Sequence, residues 1–231
     1  MDELVTGRRR TYGPRDVIVE DGSELQEIRL VISGLAARSK DLSDGSRQIM
    51  AFLVPGDLCD IEGFVLRAMD HRITAVSETT CALIPAAEIE SLLIEFSSLT
   101  RALWWSTMTD SAVLRARIID HGRRDARERI AHLFYEMLIR YRVVGRTTDH
   151  TFPFPVTQEE LADATGMTPV HLGRILGELR DEGLLEWRRR VLTVHDPAGL
   201  KRVARFEADY LHLDRTEARD GNVAERAGDL I

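Results

Sequence analysis

The stretch Thr168–Arg174, TPVHLGR, carries side chains suited to reading another polymer. An arginine on an exposed helix edge can donate two parallel hydrogen bonds to the O6 and N7 atoms of guanine. A valine one turn earlier can pack on a thymine methyl group. Arg174 and Val170 stand in that relation, with His171 between them and the small Gly173 leaving the edge uncrowded. A little downstream, Arg188, Arg189 and Arg190 form a run of three positive charges, the chemistry that meets a phosphate backbone.

Other chemistry has thinner support. The two cysteines, Cys59 and Cys81, do not form a CxxC pair, so neither a disulfide framework nor a cysteine-bound zinc or iron–sulfur site is expected. No catalytic residue and no metal ligand set is assigned. An enzyme reading survives only as a hydrolase using Cys59 with His71 or Asp60, and no nucleophile-elbow, Walker or paired-carboxylate motif supports it.

Charge bounds the partner. The 231 residues carry a net charge of −7 with 30% charged side chains, so positive charge must be gathered locally if nucleic acid is bound. No segment approaches the ~18 uninterrupted apolar residues of a membrane span. The N-terminal MDELVTGRRRTYG has no apolar core and is not a signal peptide. A cytoplasmic protein without a membrane partner is expected.

The elements that must hold these residues are legible from patterning. Thr157 begins a capping box completed by Glu160 three residues on, which starts a helix. Gly166 suits the left-handed residue that ends it. Thr168 then caps a second helix, with Pro169 at the first position, where no amide hydrogen is needed. Leu172, Ile175, Leu176 and Leu179 make its inward stripe, leaving Val170, His171 and Arg174 outward. Two helices across a short glycine turn form a helix-turn-helix. GLLEWRRRVLTVHD follows as two short strands around a basic turn, a wing.

Upstream, residues from about 15 to 90 read as short strands. EIRLVI alternates Ile28, Leu30 and Ile32 on one face, as a half-buried strand would; RQIMAFLV and TCALIP suit strands covered on both faces. Gly22, Gly34, Gly45 and Gly56 punctuate the region, which predicts a sandwich or barrel. One long helix is expected at about 98–120 and a second near 124–142, with VGRTTDHTFPFP as a linker.

The whole pattern resembles the catabolite-activator and fumarate–nitrate-reduction (Crp/Fnr) superfamily of bacterial transcription regulators. The resemblance covers about residues 15 to 209. It rests on the glycine-punctuated roll with DGS, SG, DGSRQI and PGDL, on DARERIAHLF, and on VTQEELADATGMTPVHLGRILGELRDEGLL. TPVHLGR looks like the branch common in alphaproteobacterial members. The implied fold is α+β: an N-terminal antiparallel, jelly-roll-like β-roll of the cyclic-nucleotide-binding type (15–97), a long dimerisation helix (98–121), and a C-terminal winged helix-turn-helix (124–211). Residues 214–231 are expected to form a disordered tail.

The resemblance further implies a homodimer on a pseudo-palindromic operator in double-stranded DNA, and contact with RNA polymerase. Leu99, Leu103, Val113, Leu114 and Ile118 would form part of the subunit seam. Arg174 aligns with the family's base-reading arginine. Pro169 and Val170 stand where other members carry Arg–Glu or Val–Glu, so the operator should differ from theirs. Thr157, Gln158, Thr168 and His171 match positions that touch phosphate or groove edge, and Arg188–Arg190 follow the backbone. In the roll, Asp60 and Ile61 fall where cAMP-binding members hold the ribose with Gly–Glu, and His71 and Arg72 fall near their phosphate-binding Arg–Ser. A carboxylate at that place repels a cyclic phosphate, which argues for an effector other than cAMP; a true cyclic-nucleotide sensor is the alternative. With two scattered cysteines, no iron–sulfur cofactor is implied.

Overall fold

The computed structural model describes residues 8–213. The expected tail, 214–231, lies outside the described residues.

Seven strands build the roll: β1 (Arg8–Tyr12), β2 (Val17–Val19), β3 (Glu27–Ser33), β4 (Ala36–Asp41), β5 (Arg47–Leu53), β6 (Arg72–Ala75) and β7 (Thr79–Pro85). They pair antiparallel in two sheets, ordered β1-β7-β3 and β2-β6-β4-β5. Tyr12, Ile18, Val31, Leu53, Ile73 and Cys81, drawn from both sheets, fill the space between them. Among the described residues the roll thus includes β1, ahead of residue 15. The strand β3 is covered on both sides rather than half-buried: Ile28 joins Ile61, Ile84 and Ile89 on the outer face, while Val31 points into the roll. Gly34 is obligatory at its turn. Its φ is 92°, and a Cβ there would sit 2.3 Å from the Glu78 carbonyl oxygen.

Two short helices belong to this unit: α1 (Ile61–Leu66), in a stretch that reads as strands, and α2 (Ala86–Glu95). The long helix α3 spans Ser97–Arg123 and α4 spans Ala126–Val143, the latter started by an Asp125–Glu128 capping box. The segment expected as a linker contains β8 (Thr151–Pro153), which pairs with the wing. Its flanking prolines and threonines suggested loop, but its ladder partner, β10, lies some 40 residues away.

The C-terminal unit continues with α5 (Gln158–Thr165), α6 (Pro169–Asp181), β9 (Leu185–Arg188), β10 (Val191–Val194), α7 (Pro197–Ala204) and a 3-10 turn (Ala208–Leu211). Its sheet runs β8-β10-β9. Ile130, Phe134, Leu138, Phe154, Leu161, Leu172, Ile175, Leu179 and Leu192 form its core, each 2% exposed or less. That core is continuous with Ile49 and Phe52 of β5. The Phe52 and Phe154 rings meet edge-on at 5.7 Å. Arg47 clamps Asp163 of α5 through Nε (2.9 Å) and Nη2 (2.7 Å), and the Gln48 amide donates to the Asp163 carbonyl. Roll and winged unit are therefore docked within one chain.

Candidate nucleic-acid interface and roll cavity

The outward edge of α6 is set by local rules. The Thr157 hydroxyl accepts from the Glu160 amide while the Glu160 carboxylate accepts from the Thr157 amide, closing the capping box. Gly166 ends α5 in the left-handed region at φ 63°, beside the His121 ring. The Thr168 hydroxyl accepts from the His171 amide at 3.3 Å, and Pro169 opens α6. Leu172, Ile175 and Leu179 are buried beneath; Thr168, Pro169, Val170 and Arg174 are exposed, and His171 is half-buried. Val170, at 85% exposure, is held in water. Arg174 pairs with Glu178 one turn on. A Cβ built at Gly173 or Gly177 meets nothing within 4 Å, so the chain's own packing requires neither glycine.

The wing stands beside this edge. Val191 pairs with Arg188, which leaves Arg189 and Arg190 as the two-residue turn between β9 and β10. Both have positive φ, 51° and 65°, the geometry for which Asn-Gly is favoured. Holding a non-glycine residue there costs roughly 1 kcal/mol or more, so charge has been kept at the expense of conformational ease. All three arginines are exposed. The wing is braced from below by the Trp187 Nε1 donating to the Phe154 carbonyl at 3.1 Å. Thr157 and Gln158, at the start of α5, are also exposed.

The long helix is fastened to this unit through ions. Arg117 of α3, 9% exposed, donates to Asp120 (2.9 Å) and to Glu136 of α4 (2.7 Å), and the Tyr210 hydroxyl donates to the other Glu136 oxygen (2.7 Å). Arg129 donates to the Asp120 and Thr165 carbonyls, tying the end of α3 to the end of α5. Of the five expected seam residues, Val113 faces its own core at 6% exposure, because that side of α3 lies on α4 and the roll. Leu99, Leu103 and Leu114 are half-buried, and Ile118 is 72% exposed. Uncovered instead are Trp104, Met108, Ile118 and Ile119, which the 3.6-residue repeat puts on one side of the helix.

The four residues expected to hold an effector are not gathered in one cavity. Asp60 is fully buried and committed to Arg29, accepting from its amide (2.7 Å) and guanidinium (2.6 Å); burial nevertheless raises its pKa above the usual carboxylate range. Ile61 is buried against Ile28, Ile84 and Ile89. Arg72 lies on the surface, paired with Glu20 and Asp41. Only His71 lines the cavity of about 450 Å³ between roll and α3, together with Arg38, Lys40, Glu62, Asp70 and Asp110. Sequence reasoning missed Arg38, Glu62 and Asp110, which come from β4, α1 and α3 and share no local motif.

Cys59 is 0% exposed, and the neighbouring Cys81 thiol together with burial pushes its own thiol well up. Asp60 is spent on Arg29 and His71 on Asp70, so the thiolate that a Cys59 nucleophile needs is disfavoured. Among the described residues no group of three His, Cys, Asp or Glu side chains is placed to hold a metal ion.

Known proteins share this arrangement. Residues 9–96 match the cyclic nucleotide-binding domain family, and residues 128–203 match the Crp-like helix-turn-helix domain family. The transcriptional activator protein FnrL of Cereibacter sphaeroides is 26% identical over 205 residues, covering 87% of this chain and 82% of that one. The nitrogen fixation regulation protein FixK of Azorhizobium caulinodans is 24% identical, covering 85% of this chain and 79% of that one. Among solved structures, FixK2 from Bradyrhizobium japonicum superposes with a TM-score of 0.78 at 23% identity, covering 87% of this chain and 98% of that one.

Proposed function

Because the chain belongs to the Crp/Fnr superfamily of DNA-binding transcription regulators, we propose that it reads a pseudo-palindromic operator as a homodimer, one α6 helix per half-site. The half-sites lie about one helical turn, ~34 Å, apart. Arg174 reads guanine, Val170 packs on a thymine methyl, and Thr157, Gln158, Thr168, Pro169 and His171 set the helix against phosphate and groove edge. Arg188, Arg189 and Arg190 follow the backbone. The subunits join along α3 through Trp104, Met108, Ile118 and Ile119, with Leu99, Leu103 and Leu114 flanking that seam. The protein works in the cytoplasm and meets RNA polymerase there. It carries no iron–sulfur cluster, a reading supported by its two cysteines, Cys59 and Cys81, both of which are buried. Control comes through an effector in the roll other than cAMP, a reading supported by the carboxylates Glu62, Asp70 and Asp110 around the cavity.

The observation that carries this proposal is the α6 edge itself. An exposed valine and arginine, with two glycines their own fold does not need, stand next to arginines held in a costly turn. Fluorescence anisotropy on labelled duplexes across a salt series tests it. Changing Arg188, Arg189 and Arg190 to Gln together should weaken binding to every duplex alike and reduce the slope of log K against log salt by up to ~2.7, at about 0.9 per phosphate contact. A triple variant that keeps the wild-type salt slope contradicts the assignment.

A further inference from the structure

The cavity between the roll and α3 has a chemistry of its own. Arg38 sits 2% exposed in its floor. Its Nη2 reaches the Cys59 carbonyl (3.2 Å), Glu62 Oε1 (3.3 Å) and Asp110 Oδ2 (3.7 Å), yet its Nε has no partner. Glu62 Oε2 and His71 Nε2, both buried, also have none. The His71 Nδ1 is taken by Asp70 at 2.6 Å. With the hydrogen on Nδ1, the ring leaves Nε2 as an acceptor. Lys40 is spent on Asp21 and on the Asp70 carbonyl. Three carboxylates therefore line the cavity against one buried guanidinium and a lysine engaged elsewhere. The unspent capacity is mostly for accepting hydrogen bonds.

Asp110 registers the same imbalance. Its carboxyl is raised to about 6, chiefly by burial, and Asp57 and Glu62 add to the rise against the opposing pull of Arg38 and Arg140. Met50, Leu66 and Leu114 give the cavity apolar walls, and Thr107 and Ser111 add hydroxyls from α3. A polar head with a short alkyl body matches this lining. A cyclic phosphate would bring negative charge to a place already short of positive partners.

We propose that this cavity takes a small organic cation, whose amine or guanidinium N–H groups are received by Glu62 and Asp110 while its alkyl part lies against Met50, Leu66 and Leu114. The proposal rests on reading the chain as an effector-controlled regulator and names the class of that effector. A cation seated there bridges β5, α1 and α3, so it fixes the distance between the roll and the long helix.

Isothermal titration calorimetry on the full chain, with agmatine, putrescine and cAMP as probes, tests this. Agmatine or putrescine should give saturable heat and cAMP none. Glu62→Gln and Asp110→Asn should each weaken cation binding at least tenfold, and a cooperative thermal melt of each variant shows that it is folded. Wild-type affinity should also rise between pH 5.5 and 7.5, because Asp110 releases its proton to receive the cation. The charged groups facing Asp110 through this range are Arg38 from β4, Glu62 from α1, Asp57 from the loop after β5 and Arg140 from α4. Absence of heat with both cations, cation heat unchanged in both variants, or saturable heat from cAMP each overturns the proposal. The same samples are checked for duplex binding by anisotropy. Loss of that binding in the wild type would count against the DNA-binding assignment, whatever the calorimetry shows.

Discussion

Arg174 and Arg38 each lie beside a glutamate, and there the likeness ends. The Arg174 side chain is 60% exposed and pairs with Glu178 of its own helix, four residues on. Such a pair is worth about 0.3–0.5 kcal/mol and gives way when a better partner arrives. The Arg38 side chain is 3% exposed, and its partners Glu62 and Asp110 arrive from two other elements. Removing one side of a buried pair leaves an uncompensated charge, at several kcal/mol. In the proposed reading the first arginine leaves its partner for a ligand. The second holds together the walls of a cavity. The two regions meet through a shared core, in which Phe52 of the roll packs on Phe154 of the winged unit.

That shared core is where the two regions can be pulled apart most forcefully. Phe154 is 0% exposed and touches Phe52, Phe134, Phe152 and Trp187. Phe154→Ala should cost about 3–5 kcal/mol, measured by urea unfolding. If roll and winged unit unfold together, near- and far-UV signals will move as one transition; two separated transitions would show that the docking contributes little.

A smaller effect isolates the reading edge. Arg174→Ala should cost ~1–3 kcal/mol on the preferred duplex and relax discrimination at one base pair per half-site. Competition with single-base variants of the operator measures it. Equal losses on all duplexes would make Arg174 a phosphate contact like the wing.

The cavity should answer to pH instead. Asp110 is raised to about 6 in the folded chain, above its unfolded value near 4, so the folded state holds that proton more tightly. Its contribution to stability is therefore full below pH 4 and is lost as pH rises through 6. Wild-type stability should fall relative to Asp110→Asn between pH 4.5 and 7, by about 1–2 kcal/mol after allowance for partial exposure. Denaturant midpoints across that range check it; parallel curves would remove Asp110 from the titrating groups.

The smallest effect sharpens the contrast most finely. Gly173→Ala should stabilise α6 by up to about 1 kcal/mol, since alanine is the better helix former and the new methyl has open space. The same change should weaken operator binding. A variant that gains stability and binds as before would mean that nothing approaches that edge.

The same contrast explains what could be read from the chain before folding. The α6 edge was legible because its determinants are neighbours in sequence: the Thr157–Glu160 box, the αL glycine at 166, the Thr168–Pro169 start and the 3.6-residue apolar stripe. Local chemistry fixes all of these within about 25 residues. The wing turn was legible as a basic turn, though the left-handed backbone of Arg189 and Arg190 was not, because arginine carries no preference for it. The strand β8 escaped because its ladder partner is distant and its prolines suggested loop. The cavity escaped for the same reason. Arg38, Glu62 and Asp110 are brought together by the pairing of β4 with β6 and by the docking of α3, and nothing local marks any of them. The family resemblance puts Val113 in the subunit seam, whereas in the fold it packs inward, since neither resemblance nor apolarity says which side of a two-sided helix meets its own core.

Selection of bound duplexes from a random pool, carried out in parallel with the wild type and with Arg174→Ala, tests the central claim most directly. The claim is that the exposed edge of α6 reads DNA sequence. The wild type should enrich an inverted repeat with half-sites about 10 base pairs apart, and the variant should lose preference at one symmetric position while keeping the spacing. No enrichment by the wild type, or an identical motif from both proteins, would contradict it.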